Sequence, residues 1–306
     1  MSGSLLEVKK KMQGVKNTRK ITKAMQLVAA SKMRQFQKRA VSSRDYVTDL
    51  TSILKNNVSA ENRSIYTEKR KEGKVLFVLY TSDKGLCGAL NNKLINTLFR
   101  SERWKSLGDD EKMLITIGKK ASGYANSNNL DVAKHFIGIP EKLTALDAIE
   151  VVDGILEHWN NGDAKEIVFV VPHYKNSFTT YPIMKTFLPF SKEAIDKNLR
   201  IGIEDHELEE ILENDEDNMF MIFNPEQEAV VEALYLQTIQ AMFIQSFLEL
   251  KASEYSSRMI AMQNATDAAD RMIGDLKLVY NKARQQAITQ EIAELVGASM
   301  ALADQN

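Results

Sequence analysis

Residues 258–298 read RMIAMQNATDAADRMIGDLKLVYNKARQQAITQEIAELVGA, and the fold follows from where the apolar residues fall in that stretch. Extended backwards, the series Leu248, Ala252, Tyr255, Met259, Met262, Thr266, Ala269, Ile273, Leu276, Tyr280, Ala283 and Ala287 recurs at alternating spacings of four and three. That spacing keeps one stripe on one side of a helix wound at about 3.5 residues per turn, the pattern of a coiled-coil seam. From Asn224 to Val296 there is no proline after Pro225, and Gly274 is the only glycine. Asn224 reads as an N-cap with Pro225 in the first helical position, and Gly297 as the C-terminal cap. A helix of ~70 residues rising about 1.5 Å per residue runs ~105 Å. No compact domain needs such a length, so the stretch predicts a shaft.

A shaft needs a cover for its seam, and the other end of the chain supplies one. Residues 15–72 hold neither glycine nor proline. Leu5, Val8, Met12, Val15, Thr22, Met25, Ala29, Phe36, Ala40, Val47, Leu50 and Leu54 mark an apolar stripe, interrupted between Val15 and Thr22. All five prolines, Pro140, Pro172, Pro182, Pro189 and Pro225, lie in the middle of the chain or at its exit. The expected organisation is an N-terminal helix over 1–60, a central domain over 73–222 and a C-terminal helix over 224–298. The chain leaves one helix, folds a domain and returns, so the two helices pair antiparallel.

The middle reads as α/β. VLFVLYTS (75–82), MLITIG (113–118) and EIVFVVP (166–172) are short apolar strands, and TTYPIMKTFLPF (179–190) is a proline-interrupted edge strand. Between them, residues 89–103, 119–127 and 143–159 read as helices, the last with Leu146, Ile149, Val152, Leu156 and Trp159 on one side. Strands alternating with helices give a small, mostly parallel, Rossmann-like sheet. MFMIF (219–223) reads as one further strand leading into the last helix. The fold class is therefore α/β, a small domain inserted between the helices of a long antiparallel coiled coil.

Charge is uneven. The formal net charge is −1, yet residues 1–40 carry eleven basic side chains against one acid, Glu7. Residues 204–217, EDHELEEILENDED, hold nine acids and no lysine or arginine. The acidic run reads as a solvated loop, while the basic flank implies an acidic partner at close range. No apolar run reaches the ~18 residues needed to span a bilayer. The opening MSGSLLEVKKK lacks a secretory h-region and an Arg- and Ser-rich transit pattern. The single Cys87 fits a reducing compartment.

Candidate chemistry is thin. Asp83-Lys-Gly-Leu-Cys-Gly88 follows a strand where a phosphate loop could lie, but it matches neither G-x-G-x-x-G nor G-x-x-x-x-G-K-[ST]. It reads as a structural turn. His135, His158, His173 and His206 have no metal-ligand spacing and no nucleophile partner. Cys87 reads as a packing residue. Neither a catalytic, a cofactor nor a metal site emerges.

Three motifs carry a resemblance. NTRKITKAMQLVAASKMR (17–34) and the stretch 258–298 resemble the two terminal signatures of the gamma subunit family of F-type ATP synthases, and TSDKGLCGALN (81–91) is similar to that family's internal motif. The resemblance implies a non-catalytic rotor shaft, one copy per complex. It would stand inside an α3β3 hexamer and bind an epsilon subunit and the c-ring of the membrane sector. Ring rotation would then drive the β subunits through their conformational cycle. The same resemblance implies that Lys20, Lys23, Met25 and Arg34 meet the acidic levers of the β subunits, and that Arg284, Gln285 and Thr289 contact a β subunit. Phe223, Asn224 and Glu226 match the ring-proximal foot more loosely, at the c-ring and epsilon. The start without a transit segment points to a bacterial version, peripheral on the cytoplasmic face of the plasma membrane. Two other classes remain to be weighed: a nucleic-acid-binding coiled coil using the basic helix, and an enzyme built on the central domain. Against the former, Met25, Leu27, Val28 and Ala29 interrupt the basic face.

Overall fold

The computed structural model describes residues 2–57, 64–191, 193–195 and 226–303. The expected strand 219–223, the acidic run 204–217, the Asn224-Pro225 cap and Phe223 lie outside the described residues. The chain divides into two compact units, residues 30–258 and residues 1–29 with 259–306. Helices α1 (Ser2–Asn57) and α6 (Gln227–Ala303) contribute to both.

Residues 30–258 are built on a five-stranded sheet in the order β3-β2-β1-β4-β5, with strands β1 (Lys74–Tyr80), β2 (Lys112–Ile117), β3 (Lys134–Phe136), β4 (Ala164–Tyr174) and β5 (Thr180–Leu188). The first four are parallel, and β5 runs antiparallel to β4 at the edge. The central strands β1 and β4 are buried along almost their whole length. Strands covered on both faces need continuously apolar sequence rather than alternation, which is what VLFVLY and IVFVV provide. Pro182 sits in the edge strand β5, and Pro172 of β4 lies opposite it, beyond Val170, where the pairing with β1 ends.

Helices α2 (Leu90–Phe99), α3 (Glu102–Lys105), α4 (Lys119–Ser127) and α5 (Ala145–Asn160) carry the crossovers. Residues 89–103 form two helices rather than the expected one. Ser101 breaks the run, its hydroxyl accepting from the Trp104 N–H as a new N-cap. At α5, Thr144 and Asp147 form a reciprocal capping box. The buried face is Ala148, Val151, Val152, Ile155, Leu156 and Trp159. Leu146, read as part of that face, is 77% exposed. Two successive steps of three back from Val152 each lag about 60° around the axis, which carries Leu146 off the buried side. Strand β3, with three residues, was too short to read from sequence.

Helices α1 and α6 complete this core. Tyr80 of β1 stacks on Phe243 of α6 at 6.1 Å, and Phe36 of α1 stacks on Tyr255 of α6 at 5.7 Å. Leu50, Leu54, Tyr235, Ile239, Phe247 and Leu250 are also buried. Arg44 bonds to Glu249, and Gln237 donates to the Tyr46 hydroxyl, so residue numbers rise along α1 as they fall along α6. The pairing is antiparallel.

The other unit is a two-helix hairpin. Along α6, Met262, Thr266 and Ala269 are buried, and Ile273, Leu276, Tyr280, Ala283, Ala287 and Gln290 are half-buried. All but Gln290 are the expected positions at spacings of three and four, and Gln290 continues the series one step further. Residues 291–300 are exposed throughout. On α1 the same rhythm runs through Leu5, Val8, Met12, Val15, Arg19, Thr22, Met25 and Ala29. Arg19 thus fills the interruption in the stripe, its guanidinium donating to the Asp270 carboxylate. Thr22 and Thr266 meet hydroxyl to hydroxyl at 2.8 Å. Each hydroxyl also has a carbonyl of its own helix in reach, Arg19 for Thr22 and Met262 for Thr266, so one threonine donates across the pair and the other to its own carbonyl. The antiparallel order is the same: Arg19 precedes Thr22, and Asp270 follows Thr266.

Candidate functional site

In a doubly wound sheet, ligands bind outside the carboxyl ends of the strands, at the point where the strand order reverses. Here the chain builds β1, β2 and β3 outward in one direction and then crosses to place β4 on the other side of β1. The reversal point lies between β1 and β4, so the turns that follow those strands are where a ligand would sit.

Both turns are bound to α6. After β1, the Gly85 carbonyl accepts a hydrogen bond from Arg258 Nη2 at 3.0 Å. After β4, the Ser177 carbonyl accepts from the Ser256 hydroxyl. The loop after β3 joins them: Tyr255 donates to Glu141 at 3.0 Å, and Lys32 pairs with the same carboxylate at 2.8 Å. Burial pushes the Glu141 carboxyl up, but the hydrogen bonds from Lys32 and Tyr255 outweigh it and hold the group below its ordinary value. Burial and the adjacent Glu141 charge push the Tyr255 phenol well up. Residues of the chain's own last helix therefore occupy the strand-end crevice.

The turn 83–88 is structured from within. The Asp83 carboxylate accepts from the N–H groups of Lys119 and Gly138, and the Thr81 hydroxyl accepts from Ala121 N–H. The Lys119 and Ala121 N–H groups are donors an anion would meet at the N-terminus of α4. Gly118, at φ +93°, brings its backbone so close to the Thr81 carbonyl that a Cβ there would stand 2.1 Å from the oxygen. Cys87 is buried against Asn91, whose amide also bonds Ser82. The turn is thus held by the chain's own side chains.

Deeper in the same unit, Glu249 of α6 collects four donors: Arg44 Nη2 at 3.0 Å, Gln245 Nε2 at 2.7 Å, His173 Nδ1 at 3.2 Å and the Tyr174 N–H at 3.3 Å. Burial alone would raise this carboxyl. The His173 hydrogen bond, with the charges of His173, Arg44 and Lys185, instead lowers it to about 2. The arrangement ties β4, α1 and α6 together; Gln245 precedes Glu249 by one helical turn, whereas Arg44, His173 and Tyr174 could not be paired with it from sequence. Among the described residues, no group of His, Cys, Asp and Glu could hold a metal ion.

The residues expected to meet partners lie on open surface. Lys20, Lys23 and Arg34 are exposed, with Lys23 Nζ donating to Gln26 at 3.2 Å. Met25 is half-buried at a seam position between Thr22 and Ala29. Arg284, Gln285 and Thr289 are exposed on α6. Glu226 is exposed beside the start of that helix, its carbonyl accepting from Val230 N–H, whereas Phe223 and Asn224 lie outside the described residues. The basic flank also exposes Ile21, Leu27 and Val28, each by about 60%. Sequence reasoning missed the cluster 254–258. Its signal was the unbroken run Ser253-Glu254-Tyr255-Ser256-Ser257-Arg258, six residues each with a polar group, where the preceding part of α6 mixes polar with apolar residues.

Residues 4–302 match the family model described as ATP synthase. The ATP synthase gamma chain of Nitrosococcus oceani is 34% identical over 97% of this chain and 98% of its own length. The gamma chain of Dechloromonas aromatica is 33% identical, again over 97% and 98%. Among solved structures, a chain from the rotor of the Euglena gracilis mitochondrial ATP synthase in rotational state 1 superposes with a TM-score of 0.63. It covers 94% of this chain and 100% of its own, at 20% identity, a likeness of fold.

Proposed function

The chain belongs to the ATP synthase gamma chain family, and on that premise we propose that it is the central-stalk rotor subunit of a proton-translocating F-type ATP synthase. In this reading the chain does no chemistry itself. A c-ring turns it, and it presents successive faces to the catalytic β subunits of an α3β3 hexamer, with an epsilon subunit bound near the ring. A single asymmetric rod inside a threefold ring favours a different conformation in each β subunit, so turning it shifts which site binds tightly.

The observation that carries the reading is the two-helix hairpin. One seam is buried, and around it a basic face and a bare C-terminal end remain open. Lys20, Lys23 and Arg34 suit acidic levers on the β subunits. Met25 supplies a compliant apolar edge beside them, and Arg284, Gln285 and Thr289 supply hydrogen bonds from α6. The exposed Ile21, Leu27 and Val28 suit a protein surface better than a phosphate backbone. Glu226, with Phe223 and Asn224, is assigned to the ring-proximal end with epsilon and the c-ring. No helix among the described residues is long and apolar enough to cross a membrane, which accords with a peripheral subunit on the cytoplasmic face of a bacterial plasma membrane.

Purification from membranes through a tag on this chain tests the reading. The expected complex contains three α and three β subunits and one copy of the chain, together with the c-ring. Recovery of the chain free of those subunits would overturn it.

A further inference from the structure

From Thr238 to Arg258, no residue of α6 is exposed. Consecutive residues of a helix point about 100° apart, so any four in a row look out in every direction. Tyr255, Ser256, Ser257 and Arg258 are such a set, and between them they meet α1 and the turns after β1, β3 and β4. The Tyr255 ring stacks on Phe36 of α1, and its hydroxyl reaches Glu141 in the loop after β3. Ser256 donates to Ser177 in the turn after β4. The Ser257 carbonyl oxygen lies 3.9 Å from where a Cβ on Gly88 would stand. Arg258 reaches Gly85 in the turn after β1, and it pairs with buried Glu254 at 2.7 Å. Lys251 approaches the same carboxylate at 3.4 Å.

These contacts differ in kind from the packing of Ile239, Phe243, Phe247 and Leu250, which present apolar surface with no preferred angle. They add, at the strand ends, to the hold that Arg44, His173 and the Tyr174 N–H have on Glu249. Hydrogen bonds are directional, and a buried donor or acceptor left unpaired is costly. Turning α6 by one residue within its surroundings would put Ser257 or Met259 where Arg258 stands. The Gly85 carbonyl would then lose its guanidinium donor, whereas Glu254, on the same helix as Arg258, would turn with it and serves to hold that guanidinium in place. Only one rotational setting satisfies the whole set.

We propose that residues 254–258 are an angular key: they lock α6 against turning inside the sheet domain, so that torque applied to the domain passes into the helix. The proposal rests on the rotor reading above and names where the domain grips the shaft. Residues 255–258 occupy the crevice that other doubly wound sheets give to a ligand, so a ligand site has become a mechanical joint.

The test uses the assembled complex in inverted membrane vesicles and reads the ratio of proton pumping to ATP hydrolysis, with thermal melting alongside. The variants are Tyr255→Phe/Ser256→Ala, which removes two hydrogen bonds without opening a cavity, and the triple variant that adds Arg258→Met. Thr266→Val, which removes a buried hydrogen bond elsewhere on α6, is the stability control. The double variant is expected to assemble and hydrolyse ATP within twofold of the parent while its pumping ratio falls at least twofold. In the triple variant the ratio falls further. Should the triple variant not fold, the double variant decides alone. An unchanged ratio in the assembled double variant overturns the key, and so does an equal fall in Thr266→Val at matched loss of melting temperature. Failure of the parent chain to purify with α and β subunits would instead overturn the rotor reading.

Discussion

Helix α6 lives under two regimes. Between Thr238 and Arg258 it is enclosed, while beyond Met262 it covers a single stripe and leaves the rest to solvent. The enclosed stretch buries both kinds of side chain, with Ala241, Met242, Phe243, Phe247, Leu248 and Leu250 beside Thr238, Gln245, Ser246, Glu249, Ser253 and Glu254. The seam stretch is amphipathic and keeps only every third or fourth residue from water. One continuous helix can therefore be core at one end and interface at the other. The difference lies in what it buries per turn rather than in its backbone.

The sharpest way to break this contrast is to truncate one residue of each kind. Phe243→Ala empties a site with no exposure and removes the stack on Tyr80, and it should cost about 3–5 kcal/mol. Ile273→Ala, at a half-buried seam position, should cost roughly 1–2 kcal/mol because part of the side chain already meets water. Denaturant unfolding followed at both positions checks this. Equal losses would mean the seam is covered as fully as the core.

A second test concerns charge in the enclosed stretch. The Glu249 carboxyl is held at about 2, below its ordinary 4.5, so the folded chain favours the ionised form. Its contribution is complete above about 4.5 and disappears as pH falls through about 2. At about 1.4 kcal/mol for each tenfold change in proton affinity, Glu249→Gln should therefore cost roughly 3 kcal/mol at neutral pH. The gap between variant and parent should close as pH drops from about 4.5 towards 2, a trend that urea titrations at several pH values would resolve.

Smaller effects are expected in the hairpin. Thr266→Val removes the hydroxyl pair with Thr22 and should lower stability by about 1 kcal/mol, with faster amide exchange confined to residues near 22 and 266. Smallest of all, Lys20→Glu/Lys23→Glu changes two exposed side chains and should shift unfolding by no more than about 0.5 kcal/mol. In the assembled complex the same pair, with Arg34→Glu added, should lower the pumping ratio more than assembly yield. Normal pumping in that triple reversal would remove the basic flank from the β contact.

The seam was legible because burial on one face writes a period into the sequence. From Met262 to Ala287 the alternation of three and four predicted which residues the hairpin covers. In the enclosed stretch the same series, through Leu248, Ala252 and Tyr255, marks one side only, whereas the other sides are covered as well and mix apolar with polar residues, so their partners could not be read. Arg19 looked like a break in the stripe because its pairing with Asp270 joins positions 251 apart. His173, Arg44 and Glu249 were invisible as a group for the same reason. Leu146 was misread through a run of steps of three that drifts around the helix. In the central domain, β1, β2, β4 and the edge position of β5 followed from apolar runs and proline, whereas three-residue β3 left too little sequence to carry a pattern.

The Thr22–Thr266 pair joins residues 244 positions apart. At a synthesis rate of about 5–20 residues per second, roughly 12–50 s pass between the emergence of the two hydroxyls. Throughout that interval the stripe from Leu5 to Ala29 has no native cover, and a lone helix gains little stability without packing. The hairpin is thus the last part of the molecule that can form during translation. A growing chain carries a basic, apolar-striped N-terminus that is open to mispairing or to a chaperone until almost its final residues are made.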